Sequence, residues 1–244
     1  MHRFYLDKAD FSKGLVLITD KEELHHMKNV LRLKKGDLFR VFNGQHQEAE
    51  VVVESVSGEG IEAKVITVWL MNDASATRII LACAVPKKAK FEFIIEKCTE
   101  LGVNEIIPLK TKRSDVIYAK EKLSHKQERF IKVAVNAAKQ CKRGDIPVIA
   151  PMTDLKEVLE KRDRASLAIF PCLVDTPKHI HEVLGLNKDQ KTVYIFIGPE
   201  GDFTPQEVSM AMDNGCIPVS LGKTVLKVDT AAIAAVAFIR LLSD

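Results

Sequence analysis

Tyr194-Ile195-Phe196-Ile197-Gly198-Pro199-Glu200-Gly201-Asp202-Phe203-Thr204-Pro205-Gln206-Glu207 decides the fold class, because it runs an apolar segment straight into a helix start. Bulky apolar residues without interruption read as a buried strand. Thr204 as N-cap, Pro205 in the first turn and Glu207 three residues past the cap form a capping box that opens a helix. Two glycines bracket Pro199 between them, a rigid turn where a ligand can approach the backbone. Open α/β sheets bind ligands at such strand ends, although a plain strand-to-helix connection reads the same way.

Outward from this stretch the rhythm is strand, helix, strand, helix. Strands are expected at Arg78 to Val85, Glu105 to Pro108, Leu167 to Phe170, Thr192 to Ile197 and Cys216 to Ser220. Helices are expected at Ala89 to Leu101, Glu121 to Cys141, Pro205 to Asn214 and Thr230 to Leu242. The alternation implies a mostly parallel sheet covered on both faces, in the Rossmann-like class. The first 70 or so residues read differently, as closely spaced strands with one helix, capped by Asp20, whose Leu24, Met27, Val30 and Leu31 recur at helical spacing. Such spacing suggests a small barrel. The polar run Asn72 to Thr77 is the expected linker, giving domains 1–72 and 73–244 of the 244-residue chain.

Charge is placed unevenly. The chain carries +3 in total, but residues 78–143 hold 16 basic and 7 acidic side chains, an excess of +9 that a polyphosphate ligand would select. Lys87, Lys88 and Lys90 sit where a strand end opens a helix, well placed for phosphates. Five singly spaced cysteines argue for reduced thiols and against structural zinc; no metal is expected. With no apolar leader at Met1 to Lys8 and no membrane-length apolar run, the expected location is the cytoplasm, without a membrane partner.

Val219-Ser220-Leu221-Gly222-Lys223-Thr224-Val225-Leu226-Lys227-Val228-Asp229-Thr230-Ala231 contains Gly-Lys-Thr, yet Ile217 stands where a P-loop needs glycine and no helix follows Thr224 directly. An NTPase is thereby rejected. Ala231 to Ile239 is apolar throughout, so this helix is buried on all sides or packs against another subunit. A dinucleotide oxidoreductase fails as well, since Ala84-Val85-Pro86-Lys87-Lys88-Ala89 replaces the glycine-rich turn after the first strand of the α/β region.

Taken in order, these stretches resemble the ribosomal RNA small subunit methyltransferase E family of the SPOUT class. The residues that carry the resemblance include Met1-His2-Arg3-Phe4, His25-His26 with Val30 to Leu33, Phe42-Asn43-Gly44, Glu96-Lys97 to Val103, Arg113-Ser114, Gln140-Cys141, Ile197 to Gly201, and Leu221-Gly222 to Ala231. Two departures stand out: the family usually has glycine at Asp202, and Leu-Arg-x-Glu-Thr-Ala where Leu226-Lys227-Val228-Asp229-Thr230-Ala231 occurs. The resemblance implies an S-adenosylmethionine-dependent enzyme that methylates N3 of a uridine in 16S rRNA. It also implies a SPOUT-type parallel sheet with a C-terminal trefoil knot, a PUA-like β-barrel that binds RNA, and a homodimer working on the small ribosomal subunit.

Site residues follow from that likeness together with the loop chemistry. Lys227 and Arg113 are the expected catalytic environment for the N3 anion. Phe170, Pro171, Ile197, Gly198, Pro199, Glu200, Gly201, Ser220, Leu221, Gly222, Val225, Leu226, Lys227, Thr230 and Ala231 are the expected cofactor contacts, apolar walls with main-chain donors and acceptors. RNA contacts are expected from Arg3, His25, Arg32, Lys87, Lys88, Lys90, Arg113 and Arg143. The rival readings are a non-catalytic RNA-binding or ribosome assembly factor, and a SPOUT methyltransferase acting on another RNA.

Overall fold

The computed structural model describes residues 1–71, 77–86, 90–114, 120–173 and 177–243. Lys87, Lys88 and most of the expected linker lie outside the described residues. The chain divides into two compact units, Met1–Asp73 with Ala138–Ile146, and Ala74–Ala137 with Pro147–Asp244.

In the first unit, β1 (Arg3–Tyr5), β2 (Leu15–Ile18), α1 (Lys21–His25), β3 (Leu38–Phe42), β4 (Gln47–Val56) and β5 (Ile61–Leu70) form a sheet ordered β1-β3-β4-β5-β2. β1 joins β3 in parallel and the other neighbours are antiparallel. Every strand contributes to one core, through Phe4, Ile18, Phe39, Val51 and Ile61 among others, with Phe11 and Met27 packed in. Where the strand spacing suggested a small barrel, the hydrogen-bonded order is a five-stranded ladder with no pairing between β1 and β2 among the described residues. Asp20 caps α1 through the Glu23 N–H at 2.9 Å. Then α1 continues as a π-helical turn, His26–Val30, closed by the Leu31 N–H on the His26 carbonyl at 3.0 Å. The wider turn shifts the helical phase. Leu24 and Met27 are buried as expected from their spacing, but Val30 is turned out and 62% exposed.

Residues 138–146 belong to this unit through polar contacts. The Arg3 guanidinium donates to Glu48 at 2.9 Å, to the Ala138 carbonyl at 3.2 Å and to the Arg143 carbonyl at 2.5 Å, and it lies 3.7 Å from the Phe42 ring centroid. Arg143 in turn grips Asp145 through two nitrogens at 3.0 and 2.5 Å. Burial alone would raise the Asp145 pKa, but the hydrogen bonds and charge of Arg143 outweigh it and hold the carboxyl below its usual value.

The second unit holds β6 (Arg78–Ala84), α2 (Lys90–Glu100), β7 (Glu105–Lys110), α3 (Lys120–Gln140, its last turn counted with the first unit), β8 (Val148–Ile149), β9 (Thr153–Asp154), α4 (Leu155–Lys161), β10 (Leu167–Pro171), β11 (Lys178–His179), α5 (Ile180–Gly185), β12 (Thr192–Ile197), α6 (Pro205–Asp213), β13 (Ile217–Ser220) and α7 (Val228–Ser243). Its sheet runs β11-β13-β10-β12-β6-β7-β8, with β9 also on β7, and every pair is parallel. Helices α2 and α7 pack together, and α7 also meets β6 and β12. A separate core of Ile80, Ala82, Phe170, Phe196 and Phe203 takes in Leu155 and Leu159 of α4 and Ala211 of α6. Pro171 and Lys178 both pair with Val219, one on each side, so β13 lies between two strands that are consecutive in the chain. On α7 a single stripe is buried, Ala232, Ala235, Val236 and Ile239, while Leu241 and Leu242 are 78% and 58% exposed. Complete burial of this helix within the chain is therefore excluded.

The Arg3 and Glu48 side chains are 9% and 5% exposed, so removing one strands the other. Arg3→Ala should cost the first unit about 3 kcal/mol, read by urea unfolding through Trp69, the chain's single tryptophan. A loss under about 1 kcal/mol would mean that Arg40, 3.5 Å from Glu48, takes over. Because the Asp145 pKa is lowered on folding, its share of the stability is present above the usual carboxyl value and disappears as pH falls through the lowered one; the same signal should show that acid loss.

Candidate functional site

Three loops at the carboxyl edge of the parallel sheet enclose a cavity of about 300 Å³. They follow β10 (Pro171 to Leu173), β12 (Ile197 to Asp202) and β13 (Val219 to Val228), and Ala231 of α7 completes the lining. Strand ends supply it with free main-chain groups and apolar side chains together. A Cβ on Gly198 would stand 3.0 Å from the Phe203 ring and 3.3 Å from the Asp202 carboxylate, so only glycine keeps this wall open. Ser220 closes the next turn, its hydroxyl donating to the Gly222 carbonyl at 2.9 Å, with Gly222 at φ +137. The Lys227 carbonyl accepts the Ala231 N–H at 2.8 Å to start α7, and the Lys227 side chain is exposed.

Behind the loops stands one buried carboxylate. Glu207, 5% exposed, completes the capping box with Thr204 N–H and hydroxyl at 2.8 and 3.0 Å, and its other oxygen accepts the Lys112 N–H at 2.8 Å. The loop after β7 is thereby fastened to the start of α6. Its next residue, Arg113, donates to the carbonyls of Gly201 at 2.6 Å and Phe203 at 3.3 Å. Arg113 thus grips the loop after β12 from outside the cavity.

Most of the expected cofactor contacts gather at the cavity: Pro171, Ile197, Gly198, Pro199, Glu200, Ser220, Leu221, Gly222, Val225, Leu226, Lys227 and Ala231 line it. Three do not. Phe170 is buried beneath, its ring 4.2 Å from that of Phe203; Gly201 is turned toward Arg113; Thr230 is exposed on α7. Cys172, Leu173, Asp202, Val219, Thr224 and Val228 line the cavity without having been expected to. Continuity along each loop was the available signal for the first three. Burial pushes the Cys172 thiol up to about 12, with the nearby Asp202 carboxylate adding to it, so this wall residue is a neutral thiol at physiological pH.

The expected RNA contacts scatter. Arg3 and Arg143 are consumed by the inward bonds described above, so neither guanidinium is offered to a phosphate. His25 is exposed and bonded to Asn29 at 2.9 Å, and Arg32 is exposed at the left-handed φ of +54 that ends the π-helical turn. Lys90 lies 3.8 Å from one oxygen of Asp229, whose other oxygen is buried with no hydrogen-bond partner among the described residues. Many cations of this stretch have carboxylate neighbours: Arg78 to Glu105, Lys97 to Glu96 and Glu100, Lys110 to Asp154, Arg129 to Glu92 and Lys139 to Glu23; of these acids only Asp154 and Glu23 lie outside residues 78–143 and so offset the excess.

An amide at position 207 offers one acceptor oxygen where the carboxylate offers two. Glu207→Gln should therefore free either Lys112 or Thr204 and cost about 2 kcal/mol, measured by chemical denaturation followed by circular dichroism. Full stability in this variant would show that the two loops are held by packing alone.

A family model described as "RNA methyltransferase domain" matches residues 73–240, and one described as "RNA methyltransferase PUA domain" matches residues 18–66. The chain is 27% identical to ribosomal RNA small subunit methyltransferase E of Bacillus subtilis, over 98% of this chain and 96% of that one. It is 32% identical to the enzyme of the same name from Synechocystis sp., over 91% and 72%. Among solved structures, a methyltransferase from Legionella pneumophila in complex with its cofactor S-adenosylmethionine superposes with a TM-score of 0.85 at 28% identity, covering 98% of this chain and 96% of that one. With a cavity built from the ends of three parallel strands and both domains matched in order, the chain belongs to the ribosomal RNA small subunit methyltransferase E family of RNA methyltransferases.

Proposed function

We propose that this protein is an S-adenosylmethionine-dependent methyltransferase that methylates N3 of a uridine in 16S rRNA. The observation that carries the reading is the three-loop cavity at the sheet edge. Its residues fit the cofactor: Gly198 leaves backbone uncovered, and Ile197, Val219, Leu226 and Val228 provide apolar surface for an adenine. When bound, S-adenosylmethionine supplies an electrophilic methyl group on a sulfonium. The chain's own residues have to hold the uridine in line and stabilise the negative charge that grows on the ring as the N3 proton leaves. Lys227 suits that second task. It lines the cavity, and no hydrogen bond or ion pair engages its ammonium among the described residues. Arg113, committed to two carbonyls of the loop after β12, acts through the position of that loop.

The first unit, matched by a PUA model, would meet rRNA through His25 and Arg32, exposed residues on either side of its π-helical turn. Two further features complete the reading. The placement of β13 between β10 and β11 supports a trefoil knot, since the chain leaves the sheet at Pro171 and re-enters at Lys178 on the far side of Val219. The uncovered apolar side of α7, ending in Leu241 and Leu242, supports a homodimer. An enzyme acting on 16S rRNA works in the cytoplasm.

Calorimetric titration with S-adenosylmethionine should give saturable heat, and mass mapping of 16S rRNA should find a methyl on uridine N3 only in cells that carry the gene. No heat would leave a non-catalytic RNA-binding factor; heat without that methyl would mean a different RNA. Lys227→Ala should lower single-turnover methyl transfer by at least about 100-fold with the melting temperature unchanged; unaltered turnover would remove Lys227 from the chemistry. Binding to 16S rRNA should weaken about 50-fold between roughly 50 and 200 mM salt if about four phosphates are contacted. A flat response would refute the electrostatic part of the reading.

A further inference from the structure

Asp202 adopts φ +58, a left-handed conformation that glycine accepts freely and Asn or Asp better than other residues. Its carboxylate bonds at both oxygens: Oδ1 accepts the Phe203 N–H at 2.8 Å and Oδ2 accepts the Leu173 N–H at 3.0 Å. The first bond steadies the turn itself. The second crosses 29 positions of sequence to join the loop after β10 to the loop after β12, and both Leu173 and Asp202 line the cavity. Leu173 is 69% exposed, so apolar burial does little to hold it, and among the described residues no other hydrogen bond secures its main chain.

We propose that Asp202 is a positioning residue for the cofactor, a strap that fixes the wall formed by Pro171, Cys172 and Leu173. This rests on the reading of the cavity as the S-adenosylmethionine pocket. A glycine here would suit the backbone and leave the Leu173 N–H without its acceptor, so any gain in turn freedom comes with loss of the wall. The effect is carried by geometry. It therefore weakens S-adenosylmethionine and its uncharged-sulfur product, S-adenosylhomocysteine, by the same factor.

The test uses full-length protein and titration calorimetry with both molecules. Asp202→Gly separates the strap from backbone strain. Its Kd for each ligand should rise about ten-fold, KM for S-adenosylmethionine should rise with it, kcat at saturation should hold, and melting should shift by no more than a few degrees. Asp202→Asn, which tolerates the left-handed backbone and keeps one acceptor oxygen, should recover part of the affinity, to within about three-fold of the parent. Unchanged Kd values in Asp202→Gly would overturn the proposal, as would weakening confined to S-adenosylmethionine, which would point to direct charge attraction. Absence of heat from the unaltered protein would overturn the pocket assignment itself, a result distinct from either.

Discussion

The Glu207 carboxylate is the joint on which the site depends. A buried acid without its hydrogen bonds would be costly, and this one meets only N–H and O–H donors: Thr204 on one side and the Lys112 main chain on the other. Satisfying that single group sets the first turn of α6, the position of the loop after β7 and, through Arg113, the course of the loop after β12. Phe203 is then brought against Phe170, and Gly198 lies open beside the ring. The cavity wall follows from satisfying one buried acid.

That joint was half visible in the amino-acid sequence. Thr204, Pro205 and Glu207 announce a cap because a cap is local, and Gly198 announces a tight approach for the same reason. The Lys112 bond joins positions 95 residues apart, and nothing around Lys112 marks it. The same distinction explains the other surprises. Arg3 and Arg143 read as cations free to meet phosphate, but folding brings Glu48 and two main-chain carbonyls to Arg3, and Arg143 closes on Asp145 two positions along. β8, β9 and β11 are two residues long, too short for any alternation to register, and α5 has six residues. Val30 follows helical spacing perfectly well, but the π-helical turn changes the spacing itself.

The charge asymmetry changes in meaning. Most of the described cations between residues 78 and 143 already have carboxylate neighbours, many of them substantially exposed. Exposed pairs of this kind are worth at most about 1 kcal/mol and are screened by salt. A polyanion would therefore compete with the carboxylates on nearly even terms, and under the proposed function RNA would displace them. The two buried arginine clusters of the first unit are a separate population, held too firmly for exchange.

The position of β13 also constrains how the molecule comes to be built. Residues 217–220 occupy a slot whose two walls, β10 and β11, are made by residues 167–171 and 178–179. A sheet that grew by adding each new strand to a free edge could never reach this order. During synthesis both walls leave the ribosome some forty residues before the strand that fills the gap. Among the described residues β11 pairs only with β13, so its place in the sheet is not set until residues 217–220 have been made. Translation of the final segment, more than collapse of the apolar core, therefore sets the moment at which the cavity first exists.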